Sequence, residues 1–404
     1  MSGRLKRGEP EQVERLQLLT EAFRPAAPID RQSLFSGRTR QLGDLFAVAE
    51  QPGQHAVVYG ARGVGKTSLV SVAAEVLSAA GVVAARTTCD RSDDFESVWR
   101  KALGELHFTV TRPAVGFAGQ ARDVRVSASA LLAEDAAPHD VRRGLQALAD
   151  GRRVVIFVDE FDRLSSDGDR LLFADTIKTL SDELPDATVV LVGVADDVEQ
   201  LIAEHLSIER ALVQIHMPRM SHAELAEIVS RGMERARLTI AGDAADTIAR
   251  LAQGLPHYAH LLGQLSARNA LEDLRVRVRL GDVSDAVAEA IEKTQQTVRE
   301  SYRRATEENG DALYPKVVLA CALAQSDEYG FFGASDVLVP EVDGDPARYL
   351  DSLAGGEHGS VLQRRGVANP RYRFVNPLLQ PYVLMRGLAD GSVAPNLLPA
   401  GQAS

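Results

Sequence analysis

The stretch "HAVVYGARGVGKTSLV", His55 to Val70, decides the fold. It opens on a short apolar run, "HAVVY" (55–59), of the kind that forms a strand buried on both faces. The run breaks into Gly60, Ala61, Arg62, Gly63, Val64 and Gly65, then Lys66, Thr67 and Ser68, which fits G-x-x-x-x-G-K-[ST] between a strand and a helix. The three glycines let the backbone curl so that successive N–H groups face a phosphate chain. The helix that begins near Lys66 adds its positive end. Lys66 is a mobile cation for the β- and γ-phosphates, and Thr67 offers a hydroxyl to Mg²⁺. The expected ligands are therefore ATP or ADP with Mg²⁺.

A second motif supports the first. "RRVVIFVDEFDRL" (152–164) is an apolar strand that ends in Asp159 and Glu160. Two adjacent carboxylates at the end of a buried strand are costly without a cation. Asp159 is placed to hold Mg²⁺ through water, and Glu160 to polarise a water attacking the γ-phosphate. Ligands of parallel α/β sheets bind at the carboxyl ends of the strands, so both motifs should share one rim.

Four further runs, "VVAARTT" (82–88), "VVIFV" (154–158), "TVVLVGV" (188–194) and "LVQIH" (212–216), alternate with helical patterns. The spacing predicts an α/β domain over 34–218, a parallel sheet flanked by helices, preceded by an N-terminal extension (1–33). Residues 219–281 read as a helical lid. It opens on "SHAELAEIVSRGMERA", where Ser221 and Glu224 form a capping-box pattern. Over 282–310 a stripe of Val283, Val287, Ile291, Thr294, Val298 and Tyr302 predicts one long connecting helix packed on the lid or on the next domain. Residues 311–390 combine short helices with a hairpin turning at Asn369-Pro370, the outline of a winged helix. The final 391–404 has the composition of a disordered tail. The segment 108–137 reads either as a β-hairpin or as a mobile loop, and its length suggests a functional or disordered insert.

Composition narrows the classes. A net charge of −11 excludes a generally basic surface, so any nucleic-acid contact needs a local patch. The two cysteines, Cys89 and Cys321, give neither a disulfide framework nor a zinc cluster and fit a reducing, cytoplasmic compartment. No apolar run reaches membrane-spanning length, and the charged "MSGRLKRGEPEQVERL" lacks the apolar centre of a signal peptide.

With these motifs in place, the chain resembles AAA+ and STAND P-loop ATPases, in particular the archaeal-type and origin-recognition-like group that ends in a winged helix. The resemblance runs from "LFSGRTRQLGDL" (34–45) to "YRFVNPLLQPYVL" (372–384). It implies that Arg38 of "FSGR" lines the nucleotide pocket; the residues alone read equally as a helix-start turn with a surface arginine. It implies a polar sensor at the end of "LVGVADD", where this chain offers Ala195 and then Asp196; Asp196 either orients a water or caps the next helix. It implies that Arg210 reaches into a neighbour's site in an ATP-dependent homo-oligomer, against a surface or intrasubunit ion pair. "GLPHYAHLLG" (254–263) is either helix punctuation or the lid motif whose Pro256 packs near the adenine. His257 then stands where relatives place a sensor arginine, and lacks that residue's permanent charge and fork. The resemblance also implies two classes of partner for the winged helix. Arg364, Arg365, Arg371 and Arg373 make the hairpin locally basic and suit duplex DNA, whereas 311–390 as a whole carries ten acidic and seven basic side chains. The functional expectation is a nucleotide-dependent switch or remodeller that hydrolyses ATP slowly or under partner stimulation, on DNA. The alternative is a STAND-like regulatory ATPase that engages an as yet unidentified protein partner and no DNA.

Overall fold

The computed structural model describes residues 10–28, 37–112, 122–149, 151–202, 208–307, 312–339 and 346–399. Two compact units divide the chain: Ile29–Gly60 with Lys66–Met217, and Met1–Pro28 with Ala61–Gly65 and Pro218–Ser404. After α1 (Pro10–Ala22), which belongs to the second unit, the first unit runs α2 (Thr39–Glu50), β1 (His55–Gly60), α3 (Lys66–Ala79), β2 (Val83–Thr88), α4 (Phe95–Gly104), β3 (His107–Arg112), β4 (Arg122–Ser127), α5 (Pro138–Ala149), β5 (Val154–Asp159), α6 (Asp167–Glu183), β6 (Ala187–Val194) and β7 (Leu212–His216).

The five apolar runs all become strands of one sheet, ordered β2-β5-β6-β1-β7 and parallel throughout. Every residue of β5 is buried, as a strand covered on both faces requires. The register aligns Gly60 with Val194 and Thr88 with Asp159, so the carboxyl ends of β1, β6, β5 and β2 form one rim. Beneath that rim lies an aromatic cluster. Trp99 stacks on Phe173 at 5.8 Å, and Phe95 and Phe161 meet Phe173 edge-on. The segment that the sequence left open forms an antiparallel hairpin, β3 with β4, from His107↔Ser127 to Arg112↔Arg122. Within that expected insert, residues 113–121 lie outside the described residues, and a short helical turn, Ala128–Leu131, follows β4.

The second unit continues with α7 (His222–Arg235), β8 (Thr239–Ile240), α8 (Gly242–Ala252), α9 (Pro256–Glu272), β9 (Arg277–Val278), α10 (Leu280–Lys293), α11 (Gln296–Glu307), α12 (Tyr314–Leu323), β10 (Phe332–Gly333), α13 (Ala347–Ala354), β11 (Leu362–Arg365), β12 (Arg371–Phe374) and α14 (Leu379–Ala389). The capping box that opens α7 forms as its residues predict, Ser221 with Glu224. The N-terminal segment is an integral part of this unit. Phe23, directly after α1, inserts its ring where α7 and α9 have no side chain: a Cβ on Gly232 would lie 2.2 Å from the ring, and one on Gly263 2.5 Å.

Two expectations need correction here. The single connecting helix is two helices, because Thr294 turns to an extended backbone (ψ 141°) while its hydroxyl donates to the carbonyl of Ala290 at 2.7 Å. The apolar stripe runs unbroken across that turn, so its period could not report the break; α10 packs on α9 and α14, as a core-facing stripe should. The tail is not disordered over its described part. Leu398 is 2% exposed and its carbonyl accepts from Arg250 at 2.9 Å. The C-terminal hairpin turns over 366–370, and β10 joins it to give a three-stranded sheet, β10-β12-β11, with α13 packed on β11. Among the described residues no helix is long and apolar enough to cross a membrane.

Candidate functional site

The phosphate loop begins where β1 ends. Gly60 has φ 149°, and a Cβ there would lie 2.3 Å from the Met217 carbonyl oxygen, so only glycine fits. Gly63 and Gly65 also have positive φ, 86° and 99°. Lys66 is the first residue of α3 and is 8% exposed; its ammonium donates to the Gly60 carbonyl at 2.8 Å. Thr67 and Ser68 occupy the first turn of the same helix and are half-buried. Ala61, Arg62 and Val64 complete the loop, with Val64 fully buried as its anchor.

Asp159 ends β5, 3% exposed, and its carboxylate accepts the Glu160 backbone N–H at 2.8 Å. Glu160 stands in the left-handed region at φ 53°, a conformation that a non-glycine residue adopts only where its surroundings impose it. Two neighbours impose it. Phe161 buries its ring completely in the aromatic cluster. Asp162 accepts the Val194 N–H at 2.8 Å and so ties the turn to the end of β6. Glu160 itself is half-exposed and paired with Arg163 at 3.0 Å, a contact of small energy at such exposure.

Thr67 and Asp159 supply a hydroxyl and a carboxylate, hard oxygen donors that suit Mg²⁺, which usually keeps water and phosphate at its remaining positions. Among the described residues no group of three His, Cys, Asp or Glu could hold a metal alone. The donor set therefore fits a nucleotide-borne magnesium rather than a resident one.

Other expected residues fall in varied settings. Arg38 is 4% exposed at the start of α2, which corrects the surface-arginine alternative. Ala195 is buried, and the helical turn that follows is capped by Asp197, not Asp196: the Asp197 carboxylate accepts from Gln200 N. Asp196 donates its backbone N–H to Gln200 Oε1 at 3.1 Å. Arg210 is exposed in the turn before β7.

In the second unit, Pro256 is the first residue of α9, and its Cγ would lie 3.8 Å from a Cβ on Gly65. Leu255 approaches Gly63 in the same way at 3.6 Å. The Gly254–Pro256 turn thus punctuates two helices and also packs on the phosphate loop. His257 does something its position in the motif did not suggest: its Nδ1 lies 2.7 Å from the Pro25 carbonyl oxygen, to which it donates, fastening the chain that follows α1.

The hairpin arginines are engaged at home. Arg364 lies 3.4 Å from Asp351 and Arg371 2.9 Å from Asp327, and Arg371 also donates to the Phe331 carbonyl. Arg373 donates to Gln363, and both Arg373 and Arg365 stand over the Phe331 ring, at 4.5 and 5.8 Å. Two residues that the sequence did not single out emerge from the structure: Arg163, the partner of Glu160, and Arg219, a buried arginine just before α7 whose pKa burial lowers to about 10, with Arg373 adding to the effect and Asp327 opposing it.

Residues 22–309 match the family model described as nSTAND1, Novel STAND NTPase 1. Among solved structures, the chain is similar to the Walker-type ATPase PABY2304 of Pyrococcus abyssi, at 15% identity and a TM-score of 0.52 over 89% of this chain and 99% of that one. It is also similar to the ORC2 protein of Aeropyrum pernix, at 13% and 0.47 over 95% and 97%, and to the RuvB Holliday junction branch migration motor of Thermotoga maritima, at 18% and 0.44 over 69% and 78%. Identities this low speak to fold alone. No curated protein sequence matches the chain.

Proposed function

Because the chain belongs to the novel STAND NTPase 1 family, we propose that it binds ATP and ADP with Mg²⁺ at the Gly60–Ser68 loop and acts as a nucleotide-dependent switch with slow or partner-stimulated hydrolysis. The observation that carries this reading is the shared rim: Lys66 opens the helix after β1, and Asp159 and Glu160 end β5 of the same parallel sheet. Lys66, at the first turn of that helix, is the cation for the β- and γ-phosphates. Thr67 and Asp159 hold the magnesium, which when bound offsets charge on the phosphates. Glu160 orients and polarises the attacking water, with Phe161 and Asp162 fixing the turn on which it stands. Arg38 is a nucleotide-pocket residue of the first unit in this reading, and Asp196 and Arg210 serve as water sensor and as finger in a neighbouring subunit.

Slow turnover is supported by His257. Its Nδ1 is given to Pro25, and an imidazole in any case lacks the two-pronged charge of an arginine sensor. We read α12, α13 and the β10-β12-β11 sheet as a winged helix. The acidic balance of 311–390, with Asp351 and Asp327 beside Arg364 and Arg371, favours a protein partner for it over duplex DNA. The test is Glu160→Gln, a change that keeps shape and removes the base. The variant should hold ATP as tightly as the parent while turnover falls by roughly 10²- to 10⁴-fold. Unchanged turnover removes Glu160 as the base.

A further inference from the structure

Arg219 is 7% exposed, yet among the described residues it forms no ion pair with a carboxylate. Its guanidinium is held by neutral acceptors. Nη1 donates to the Gln253 carbonyl at 3.2 Å and to Gln380 Oε1 at 2.6 Å, while Nε is buried without a partner. Gln380, 2% exposed on α14, completes the bridge with its amide, which donates to Gln253 Oε1 at 3.3 Å and to the Ala322 carbonyl at 3.1 Å. The backbone makes room for the arginine: a Cβ on Gly254 would lie 2.5 Å from Arg219 Cβ, and one on Gly330 3.1 Å from Nη2.

The bridge stands one layer from the phosphate loop. Gln253 and Gly254, both with positive φ, lead into Leu255 and Pro256, which pack on Gly63 and Gly65. Leu378, two residues before Gln380, reaches the same loop, 3.9 Å from a Cβ on Gly63, and its carbonyl accepts the Tyr258 hydroxyl at 2.8 Å. The loop thus touches both segments that Arg219 joins.

We propose that Arg219 is a latch that couples the phosphate loop to α14, tying the Gln253–Pro256 turn to Gln380 so that the nucleotide held by the loop decides whether α14 stays docked. The proposal rests on the phosphate-site reading above. Its energetics suit a switch. A buried cation whose hydrogen bonds go to neutral acceptors is costly and is offset only in part by Asp327, a cost that opposes the apolar burial of α14 in the docked state. Interfaces of this kind have two arrangements rather than a continuum.

The test uses the full chain and substitutes Gln380, which spares the arginine and its packing. Gln380→Glu trades the amide's donations to Gln253 and Ala322 for a carboxylate paired with the guanidinium, the stronger contact, and tightens the latch; Gln380→Ala removes one end of it. Hydrogen exchange of 379–389 is followed with Mg-ADP and with a slowly hydrolysed Mg-ATP analogue, alongside release of a fluorescent ADP. In the parent, protection of α14 should differ between the two nucleotides. Gln380→Glu should raise protection and slow ADP release about tenfold, and Gln380→Ala should lower protection and speed release by a similar factor. Binding of both nucleotides with identical α14 protection, or release shifted the same way by both variants, overturns the latch while leaving the phosphate site intact. Failure of the parent to bind either nucleotide overturns the phosphate-site reading and the coupling with it.

Discussion

The rim of the parallel sheet and the C-terminal hairpin both concentrate charge, and they differ in how deeply it is buried. At the rim, Lys66 donates to the Gly60 carbonyl and the Asp159 carboxylate accepts the next residue's amide, both side chains buried, with Glu160 and Arg163 paired in the open beside them. At the hairpin, Arg364 and Arg371 lie on Asp351 and Asp327, and Arg373 is fixed by Gln363 and the Phe331 ring. Lys66 and Asp159 are buried at a helix start and a strand end; the hairpin's charges are exposed or half-buried and join residues packed around a small sheet. Both regions looked functional in sequence, because a run of like residues does not reveal what lies across from it in space.

That contrast can be broken in several ways. The largest effect is expected at Phe161, whose ring ties the rim to the core. Phe161→Ala should destabilise the chain by about 3–5 kcal/mol through the cavity it leaves, seen in chemical denaturation. It should also lower turnover beyond its effect on nucleotide affinity, since Glu160 loses its support. A loss of stability with kcat unchanged would mean that the turn holds its shape without the ring.

Acid should act next in size. Burial lowers His55 and His260 to about 4, with His257 adding to the effect at His260. The folded value lies below the unfolded value of 6.5, so the neutral form is favoured on folding. Stability is complete above 6.5 and is lost as pH falls toward 4, by about 1–3 kcal/mol per histidine. Thermal melts at pH 7.5, 6 and 5 should step downward; a flat profile would place these rings in contact with water.

The smallest effect belongs to the hairpin. Arg371→Ala should cost at most about 1 kcal/mol, as exposed pairs do. Reversing Arg364, Arg365, Arg371 and Arg373 to Glu should loosen the sheet by setting like charges against Asp351 and Asp327, with little duplex affinity to lose. Steep, salt-dependent duplex binding by the parent that vanishes in the reversed chain would return the hairpin to the DNA-contact class.

Legibility followed locality. The strands, Gly60–Ser68 and Asp159–Glu160 could be read because burial on two faces and a glycine-rich turn are written in consecutive residues. The break at Thr294 could not, since the stripe keeps its period through it. Nor could the partners of Arg219 and His257, which lie 161 and 232 residues away in sequence at Gln380 and Pro25. Arg38 gave a clear motif but no exposure, and burial of an arginine depends on the whole fold. The order of the tail as far as Leu398 rests on Arg250, again a distant residue.

The most direct measurement is a calorimetric titration of ATP and of ADP, each with Mg²⁺, into the parent chain and into Lys66→Ala. Saturable binding at one site per chain, weakened at least about a hundredfold by the substitution, is the expected result, since a charge-assisted contact to phosphate made in a partly buried loop is removed. Equal affinity in the two proteins would contradict the assignment of Gly60–Ser68 as the phosphate site.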